Sequence, residues 1–292
     1  MYKAESLVLN DEVRQSITDG AFIDLPSGNT HYKCEGESGE WCVLVHGYAT
    51  PYYIYDKIAE GLLKAGYRVL RYDLLGRGLS ERVEKVYNPA LFVKQLEDLT
   101  QAILGDEKFY LMGTSMGGII TTSFVAANPD KVKKLVLLAP AGMRFKVPFY
   151  MKLSNVKGLG DFVFNHVAAK TLTSKCASEL IYSDEQTAIS YREKFAFCAQ
   201  YKGMVKSTLS SLRNTILNFD ESIKGYNGVR ESKIPVLTIW GTDDKTMPYY
   251  QAATMQKVLP DMKLITYEKS GHIFLYDEGE RTLNDILPFL AE

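Results

Sequence analysis

The 292-residue sequence predicts an α/β fold in which helices flank a mostly parallel central sheet. Continuous apolar runs, typical of strands buried on both faces, alternate with segments of helical periodicity. Clear examples of such runs are "WCVLVHG" at 41–47 and "KFYLMG" at 108–113. Strands that alternate with helices of about 10–15 residues form right-handed βαβ units, which make neighbouring strands parallel.

The order of elements follows from the first half of the chain. A Pro-Ser-Gly-Asn turn divides "FIDLPSGNTHYKCEG" (22–36) into two short strands. The segment "YDKIAEGLLKAG" (55–66) has helical periodicity, and its final glycine is typical of a helix C-cap. A strand, a helix, a strand, a helix and a strand then follow in "YRVLRYD" (67–73), "LFVKQLEDLTQAI" (91–103), "KFYLMG", "GGIITTSFVAANP" (117–129) and "KKLVLLAP" (133–140).

The alternation of strands and helices stops after Pro140 and returns near residue 234. Residues 142–230 are helix-like and contain no pattern typical of a buried strand. The later segments predict a strand, a helix, a strand and an amphipathic helix in "IPVLTIWG" (234–241), "YQAATMQKVL" (250–259), "MKLITYE" (262–268) and "RTLNDILPFL" (281–290). We therefore predict one α/β core from residues 1–141 and 231–292, with a helical cap at 142–230.

Composition excludes several classes of function. Lys and Arg total 34 against 35 Asp and Glu, so neither a nucleic acid nor an anionic membrane surface is an expected partner. The longest uncharged stretch, Phe109–Pro129, contains three glycines, and we interpret it as a strand, a turn and a helix rather than a transmembrane segment. The N-terminus has too few apolar residues for a secretory signal, and the four cysteines lack metal-ligand spacing. We expect a cytoplasmic protein with reduced thiols and no metal site.

The segment "LMGTSMGG" (111–118) allows two interpretations. Its small residues suit a helix packed tightly against a neighbour, but the pattern is also that of the G-x-S-x-G nucleophile elbow. In an elbow, a sharp turn between a strand and a helix exposes the hydroxyl of the central serine, here Ser115. A serine is a weak nucleophile unless a base removes its proton and an acid orients that base. The elbow therefore requires partners elsewhere in the sequence.

Suitable partners follow later predicted strands. His272 lies in a loop just beyond "MKLITYE", whereas contexts typical of structural or exposed residues surround the other histidines, His31, His46 and His166. The strand "IPVLTIWG" is followed by Asp243 and Asp244, and either carboxylate would supply the acid. Because parallel strands present their carboxyl ends at one edge of a sheet, these groups are expected to meet. Serine, acid and histidine in this order are typical of one hydrolase fold.

With these residues in place, the chain resembles the α/β-hydrolase superfamily over nearly its whole length. The matching stretches are "VHGY" (45–48), "YDLLGRGLS" (72–80), "GTSMGG" (113–118), "IWGTDD" (239–244) and "SGH" (270–272). The resemblance implies a cap inserted after the sixth strand and a catalytic triad of Ser115, Asp244 and His272, with Asp243 as the alternative acid. It also implies an oxyanion hole formed by the backbone amides of Tyr48 and Met116.

The preferred function is hydrolysis of carboxylic esters. "GTSMGG" followed by "LLAPAG" (137–142) is most similar to the monoacylglycerol-lipase and carboxylesterase branches. That resemblance implies short-to-medium acyl or monoacylglycerol esters, cleaved through an acyl-enzyme without a cofactor. Three aromatic residues of the insertion are candidates for binding an apolar acyl chain: Phe145, Phe149 and Phe162.

Two alternatives to ester hydrolysis stay open. One is hydrolysis of a carbon–carbon bond in an aromatic ring-fission product, by a branch of the same superfamily. That branch usually has asparagine before the serine and tryptophan after the histidine, where this chain has Thr114 and Ile273. The other alternative is a ligand receptor that keeps the triad but turns over slowly. In each case we expect a monomer or a homodimer that binds a small molecule.

Overall fold

An eight-stranded sheet forms the centre of the computed structural model, which describes residues 4–156, 158–164, 176–178 and 180–292. Its strands lie in the order β1-β2-β4-β3-β5-β6-β7-β8. They are β1 (Ala21–Leu25), β2 (Gly28–Glu35), β3 (Trp41–Val45), β4 (Arg68–Tyr72), β5 (Phe109–Thr114), β6 (Val132–Leu138), β7 (Val236–Gly241) and β8 (Lys263–Tyr267). Only the pairings of β2 with β1 and with β4 are antiparallel, so the predicted mostly parallel α/β sheet is confirmed.

Helices cover both faces of the sheet and form the insertion. They are α1 (Asp11–Ser16), α2 (Asp56–Lys64), α3 (Pro89–Leu104), α4 (Met116–Ala127), α5 (Phe149–Ser154), α6 (Glu185–Ala199), α7 (Met204–Ser211), α8 (Phe219–Ser232), α9 (Tyr250–Val258), α10 (Phe274–Asp277) and α11 (Gly279–Ala291). A π-helical turn, Leu212–Ile216, follows α7 directly. Among the described residues, no helix is both long and apolar enough to cross a bilayer.

Burial of the central strands accounts for the continuous apolar runs in the sequence. Every residue of β3 and β5 is buried, because helices cover both faces of the sheet at these positions. By contrast, α1 was not predicted, since none of its six residues is buried and it therefore has no apolar periodicity. It depends on its N-cap, where the side-chain oxygen of Asn10 accepts a hydrogen bond from the amide of Val13 at 3.0 Å.

The insertion lies between β6 and β7, after the sixth strand as expected. Its last helix, α8, packs on the core helix α4 so closely that a Cβ added at Gly228 would lie 2.3 Å from that of Ala126. The hydroxyl of Tyr226, also on α8, donates to the carbonyl of Ala141. This packing places α8 with the core, although all but its last two residues lie within the range 142–230. The division into core and cap stays a prediction, and the packing favours an end of the cap before Phe219.

The N-terminal segment contacts the insertion rather than the sheet. The amide of Glu5 donates to the carbonyl of Ala199, and the amide of Lys202 donates to the carbonyl of Leu7. The carboxylate of Glu5 also accepts from the amide of Val205, in the first turn of α7, at 2.7 Å. A short backbone ladder thus connects residues 5–7 to the link between α6 and α7.

A buried ion pair connects the hairpin β1–β2 to the loop after β4. The Nδ1 atom of His31 lies 2.8 Å from the Asp73 carboxylate, and its Nε2 atom lies 2.8 Å from the carbonyl of Asp19. Burial alone would lower the pKa of His31, but the hydrogen bond and charge of Asp73 and the contacts with Asp19 raise it overall. Because a neutral imidazole has one N–H and both ring nitrogens face acceptors, the geometry favours the imidazolium.

This pair predicts a pH-dependent contribution to stability. The pKa of His31 is raised above its unfolded value of about 6.5, so its stabilisation is complete below that pH and is lost as the pH rises through the raised value. We expect the unfolding free energy of the wild type to exceed that of His31→Gln at pH 6, and this difference to shrink by on the order of 1 kcal/mol by pH 9. Urea denaturation at both pH values measures it. A difference that stays constant between them would contradict the charged form of His31.

Candidate active site

Three residues that follow parallel strands meet at the carboxyl edge of the sheet. Ser115 directly follows β5, Asp244 follows β7, and His272 lies in the loop after β8. All three are more than nine-tenths buried. Ser115 and His272 line the same cavity, and His272 contacts Asp244 behind it. The structure therefore brings together the serine, acid and histidine predicted from the sequence.

The turn at Ser115 has the geometry of a nucleophile elbow rather than of a packed helix. Ser115 has φ 54° and ψ −122°, a conformation that costs a non-glycine residue about 1–3 kcal/mol. Its amide donates to the carbonyl of Leu138 at 3.1 Å, and its own carbonyl accepts from the amides of Gly118 and Ala141 at 2.9 Å. These hydrogen bonds over-determine the turn and so hold the strained backbone in place.

The glycines of the elbow are required by close backbone approach. A Cβ added at Gly113 would lie 2.6 Å from the carbonyl oxygen of Gly117. One added at Gly117 would lie 2.2 Å from the carbonyl oxygen of Val45, at the end of β3. Neither distance leaves room for a side chain, so the G-x-S-x-G spacing follows from the packing of α4 across the strand ends.

The backbone around Ser115 presents the two amides predicted for an oxyanion hole. Met116 is the first residue of α4, so its N–H has no acceptor within the helix and lies at the positive end of the helix dipole. Tyr48 lines the cavity together with Ser115. The loop before Tyr48 approaches closely, since a Cβ added at Gly47 would lie 3.0 Å from that of Ser115. The role of both amides stays a prediction.

The structure distinguishes between the two candidate acids. Asp244 is buried, and its Oδ2 atom lies 2.8 Å from Nδ1 of His272. Its Oδ1 atom accepts hydrogen bonds from the amides of Thr246 and Met247 at 2.9 and 2.6 Å. Asp243 is exposed, and its carboxylate accepts a hydrogen bond from the adjacent hydroxyl of Thr242. Asp244 therefore has the placement expected of the triad acid, because a carboxylate beside Nδ1 favours the tautomer in which that nitrogen carries the proton.

His46 supports the loop that carries Tyr48. Its Nε2 atom accepts from the amide of Leu74 at 2.9 Å, and its Nδ1 atom lies 3.0 Å from the carbonyl of Gly47. Burial lowers the pKa of His46 to about 4, so the ring is neutral at physiological pH. His46 therefore connects two loops at the sheet edge, as its sequence context predicts, and has no free nitrogen to act as a base.

The cavity beside Ser115 has a volume of about 350 Å³. Described residues that line it are Gly47, Tyr48, Ala49, Thr50, Ile54, Thr114, Ser115, Cys176, Ser178, Thr246, His272 and Ile273. Cys176 and Ser178 come from the predicted cap, so the insertion contributes to the site. Burial raises the pKa of the Cys176 thiol to about 11, which keeps it protonated. A larger cavity of about 550 Å³ lies against His31 and Asp73 and contains none of the three triad residues.

The aromatic residues predicted to bind substrate lie elsewhere. Phe149 is 79% exposed and Phe162 is 62% exposed. Phe145 is half-buried, with its ring 5.5 Å from that of Phe219. None of the three lines the cavity beside Ser115. Their role in substrate binding stays a prediction, and their placement offers it no support.

Comparison with known proteins agrees with this geometry. A family model described as alpha/beta hydrolase fold matches residues 41–279. The chain belongs to the alpha/beta hydrolase fold family. This match spans the elbow, the acid, the histidine and the insertion, so the resemblance seen in the sequence is confirmed for the family as a whole.

Several curated relatives of this alpha/beta hydrolase carry the same enzyme name. The 2-hydroxy-6-oxononadienedioate/2-hydroxy-6-oxononatrienedioate hydrolase 1 of Dechloromonas aromatica is 25% identical over 292 residues, covering 95% of this chain and 98% of the relative. Relatives with the same enzyme name from Paraburkholderia xenovorans and Comamonas testosteroni are each 26% identical. The substrate in these names contains no ester, so its hydrolysis has to break a carbon–carbon bond.

Solved structures share the fold of this alpha/beta hydrolase but not one activity. An esterase from Exiguobacterium antarcticum superposes with a TM-score of 0.77 at 19% identity, covering 94% of this chain and 100% of the esterase. A meta-cleavage product hydrolase from Pseudomonas fluorescens IP01 superposes with a TM-score of 0.74 at 20% identity, covering 94% and 98%. At these identities the likeness establishes the fold alone.

The preferred ester-hydrolase function is wrong. It depended on two short matches, "GTSMGG" and "LLAPAG", and on the residues Thr114 and Ile273. The relatives named as 2-hydroxy-6-oxononadienedioate hydrolases match nearly the whole chain, which is a stronger observation than either segment. The elbow is built by backbone packing that any serine member of the fold requires, so its sequence does not separate ester from carbon–carbon substrates.

The acid assignment predicts a large difference between two neighbouring variants. We expect Asp244→Asn to slow phosphonylation of Ser115 by a fluorophosphonate by roughly 10³–10⁴-fold, because the amide would hold the wrong tautomer of His272. Asp243→Asn is the matched control and should react at close to the wild-type rate. Intact mass against time measures both rates, and peptide mapping locates the adduct. Slow labelling of the Asp243 variant, or an adduct on another residue, would contradict the assignment.

Proposed function

We propose that this protein hydrolyses the carbon–carbon bond beside the ketone of a 2-hydroxy-6-oxo-dienoic acid. The observation that carries the proposal is the match of curated relatives with this activity in their names over 89–95% of the chain. The serine, histidine and aspartate geometry supports it, because attack on a ketone carbon requires an activated oxygen nucleophile.

The substrate class has chemistry that makes a carbon leaving group acceptable. Ketonisation of the 2-hydroxydiene transfers a proton to carbon 5, which lies next to the ketone at carbon 6. When the bond between carbons 5 and 6 breaks, its electron pair is delocalised through the double bond onto the oxygen at carbon 2. The five-carbon fragment leaves as a dienolate and takes up a proton. Overall, one water molecule supplies the hydroxyl of the new acid at carbon 6 and the hydrogen of the five-carbon product.

Each residue of the site has a proposed role in this reaction. Ser115 attacks carbon 6 while Nε2 of His272 takes its proton, and His272 later returns that proton to the leaving fragment. Asp244 orients the ring of His272 and stabilises the imidazolium. The amides of Tyr48 and Met116 donate to the oxygen of carbon 6 as it becomes an oxyanion. Water then hydrolyses the acyl-enzyme by the same exchange of protons.

Two positions of the cavity influence which member of the class is bound. Thr114 and Ile273 stand where the carbon–carbon branch usually has asparagine and tryptophan, and both line the cavity. Because both residues line the cavity that also contains Ser115 and His272, we expect them to affect which group on the ketone is accepted. A test of the proposal therefore has to vary the group attached to the ketone.

The decisive assay uses a series of 2-hydroxy-6-oxo-dienoates with hydrogen, methyl, phenyl or 2-carboxyethyl at carbon 6. We expect at least one to be cleaved with kcat/KM of about 10⁴ M⁻¹s⁻¹ or more, followed by loss of dienol absorbance and by chromatography of both acids. Matched p-nitrophenyl esters should react more slowly, and Ser115→Ala should abolish cleavage. Ser115-dependent turnover of esters with no dienol consumed would overturn the proposal. A stoichiometric burst without turnover would favour a slow ligand receptor instead.

A further inference from the structure

Arg77 is a buried cation that the proposed reaction does not yet use. It lies in the loop after β4 with no exposed surface. Burial lowers its pKa to about 10, so it remains charged at neutral pH. In the part of the chain that the structure describes, no carboxylate forms an ion pair with it. A buried charge without a counter-charge is costly, so its contacts require an explanation.

The polar contacts of Arg77 join the loop that carries Tyr48 to helix α7 of the insertion. Its Nε atom donates to the carbonyl of Tyr48 at 2.7 Å, and its Nη2 atom donates to the hydroxyl of Ser211 at 2.7 Å. The guanidinium carbon lies 5.7 Å from the ring centroid of Tyr48 and 5.9 Å from that of Tyr87. Its Nη1 atom is buried and has no hydrogen-bond partner among the described residues. One guanidinium group thus contacts the loop and α7 together.

A second contact joins the same two elements. The hydroxyl of Tyr48 donates to the carbonyl of Thr208, on α7, at 2.9 Å. The residue that presents the predicted oxyanion amide is therefore held at its carbonyl by Arg77 and at its hydroxyl by α7. The helix α7 runs directly into the π-helical turn Leu212–Ile216, and such turns occur frequently at functional sites.

We propose that Arg77 is a positioning residue that assembles the oxyanion site only when α7 is seated on the core. This inference rests on the proposed function, in which the amide of Tyr48 donates to the oxyanion. With α7 in place, Ser211 holds Arg77 and Thr208 holds Tyr48, which fixes the loop that carries the Tyr48 amide at the wall of the cavity. The positive charge of Arg77 also contacts the residue that carries this amide, and a buried positive charge there would favour negative charge on the reacting oxygen. A displaced α7 would loosen both effects at once.

Four variants and one control separate this role from simple packing. The variants are Arg77→Met, Arg77→Lys, Ser211→Ala and the double variant Arg77→Met/Ser211→Ala. The control is Arg82→Met, because Arg82 belongs to the same loop but donates to the carbonyls of Gly78 and Ser80, not to Tyr48. The readouts are the second-order rate of Ser115 phosphonylation by a fluorophosphonate, and kcat and KM for the best dienoate. Thermal unfolding shows which variants remain folded.

Positioning predicts losses in rate with little change in KM. Removing an oxyanion donor costs about 10²–10³-fold in kcat, and misplacing one should cost less, so we expect Arg77→Met to lose about 10–100-fold in both rates. Arg77→Lys keeps the charge and should recover part of the loss. Ser211→Ala should lower both rates several-fold in the wild-type background and have no further effect once Arg77 is replaced. Arg82→Met should react like the wild type.

Other outcomes would overturn the inference. Equal losses for Arg77→Met and Arg82→Met would assign Arg77 to packing alone. If the effects of Arg77→Met and Ser211→Ala multiply independently, Arg77 does not act through α7. If only KM changes, Arg77 does not act on the oxyanion site. If Arg77→Met does not fold, Arg77→Lys and Ser211→Ala still decide between these outcomes. Phosphonylation that follows the expected pattern while no dienoate is cleaved would overturn the proposed substrate and keep the role of Arg77.

Discussion

The close approach of α4 to the ends of the central strands is the constraint on which the site depends. Only glycine fits at positions 113 and 117, because backbone carbonyl oxygens occupy the space of a side chain. That approach forces Ser115 into a positive φ, and the hydrogen bonds from Gly118 and Ala141 to its carbonyl keep it there. The strain costs a few kcal/mol and orients the hydroxyl toward the cavity, with the N-terminus of α4 beneath it.

Two His–Asp pairs of similar geometry lie in different surroundings in this protein. In both, Nδ1 of the histidine lies 2.8 Å from an aspartate oxygen. In His31, the second nitrogen is occupied by the carbonyl of Asp19, so the ring holds a hairpin in place and cannot take up a substrate proton. His272 lies at the wall of a cavity beside a serine. Proximity to a carboxylate is thus insufficient to identify a base, and the surroundings of Nε2 decide its role.

Much of the fold and part of the site could be predicted from the sequence. Buried strands such as β3 and β5 leave continuous apolar runs, and the resemblance to the α/β-hydrolase superfamily implies Asp244 as the acid, with Asp243 as the alternative. The exposed helix α1 has no apolar periodicity, and Arg77 meets Ser211 only after long-range folding, so neither was predicted. The substrate was predicted wrongly, since the elbow sequence reflects backbone packing common to serine members of the fold.

Backbone hydrogen bonds between residues 5–7 and the link after α6 tether this part of the insertion to the sheet through the N-terminal segment. The N-terminal segment is bound at one end to Ala199 and Lys202, and at its other end it continues into β1 of the sheet. The segment between them includes α1, whose helical rise of about 1.5 Å per residue is less than half that of extended chain. The length of this segment would therefore limit any outward movement of α6 and α7, unless α1 unwinds or the backbone hydrogen bonds of residues 5–7 break. Changes near Glu5 would thus act on a helix 200 residues away in sequence.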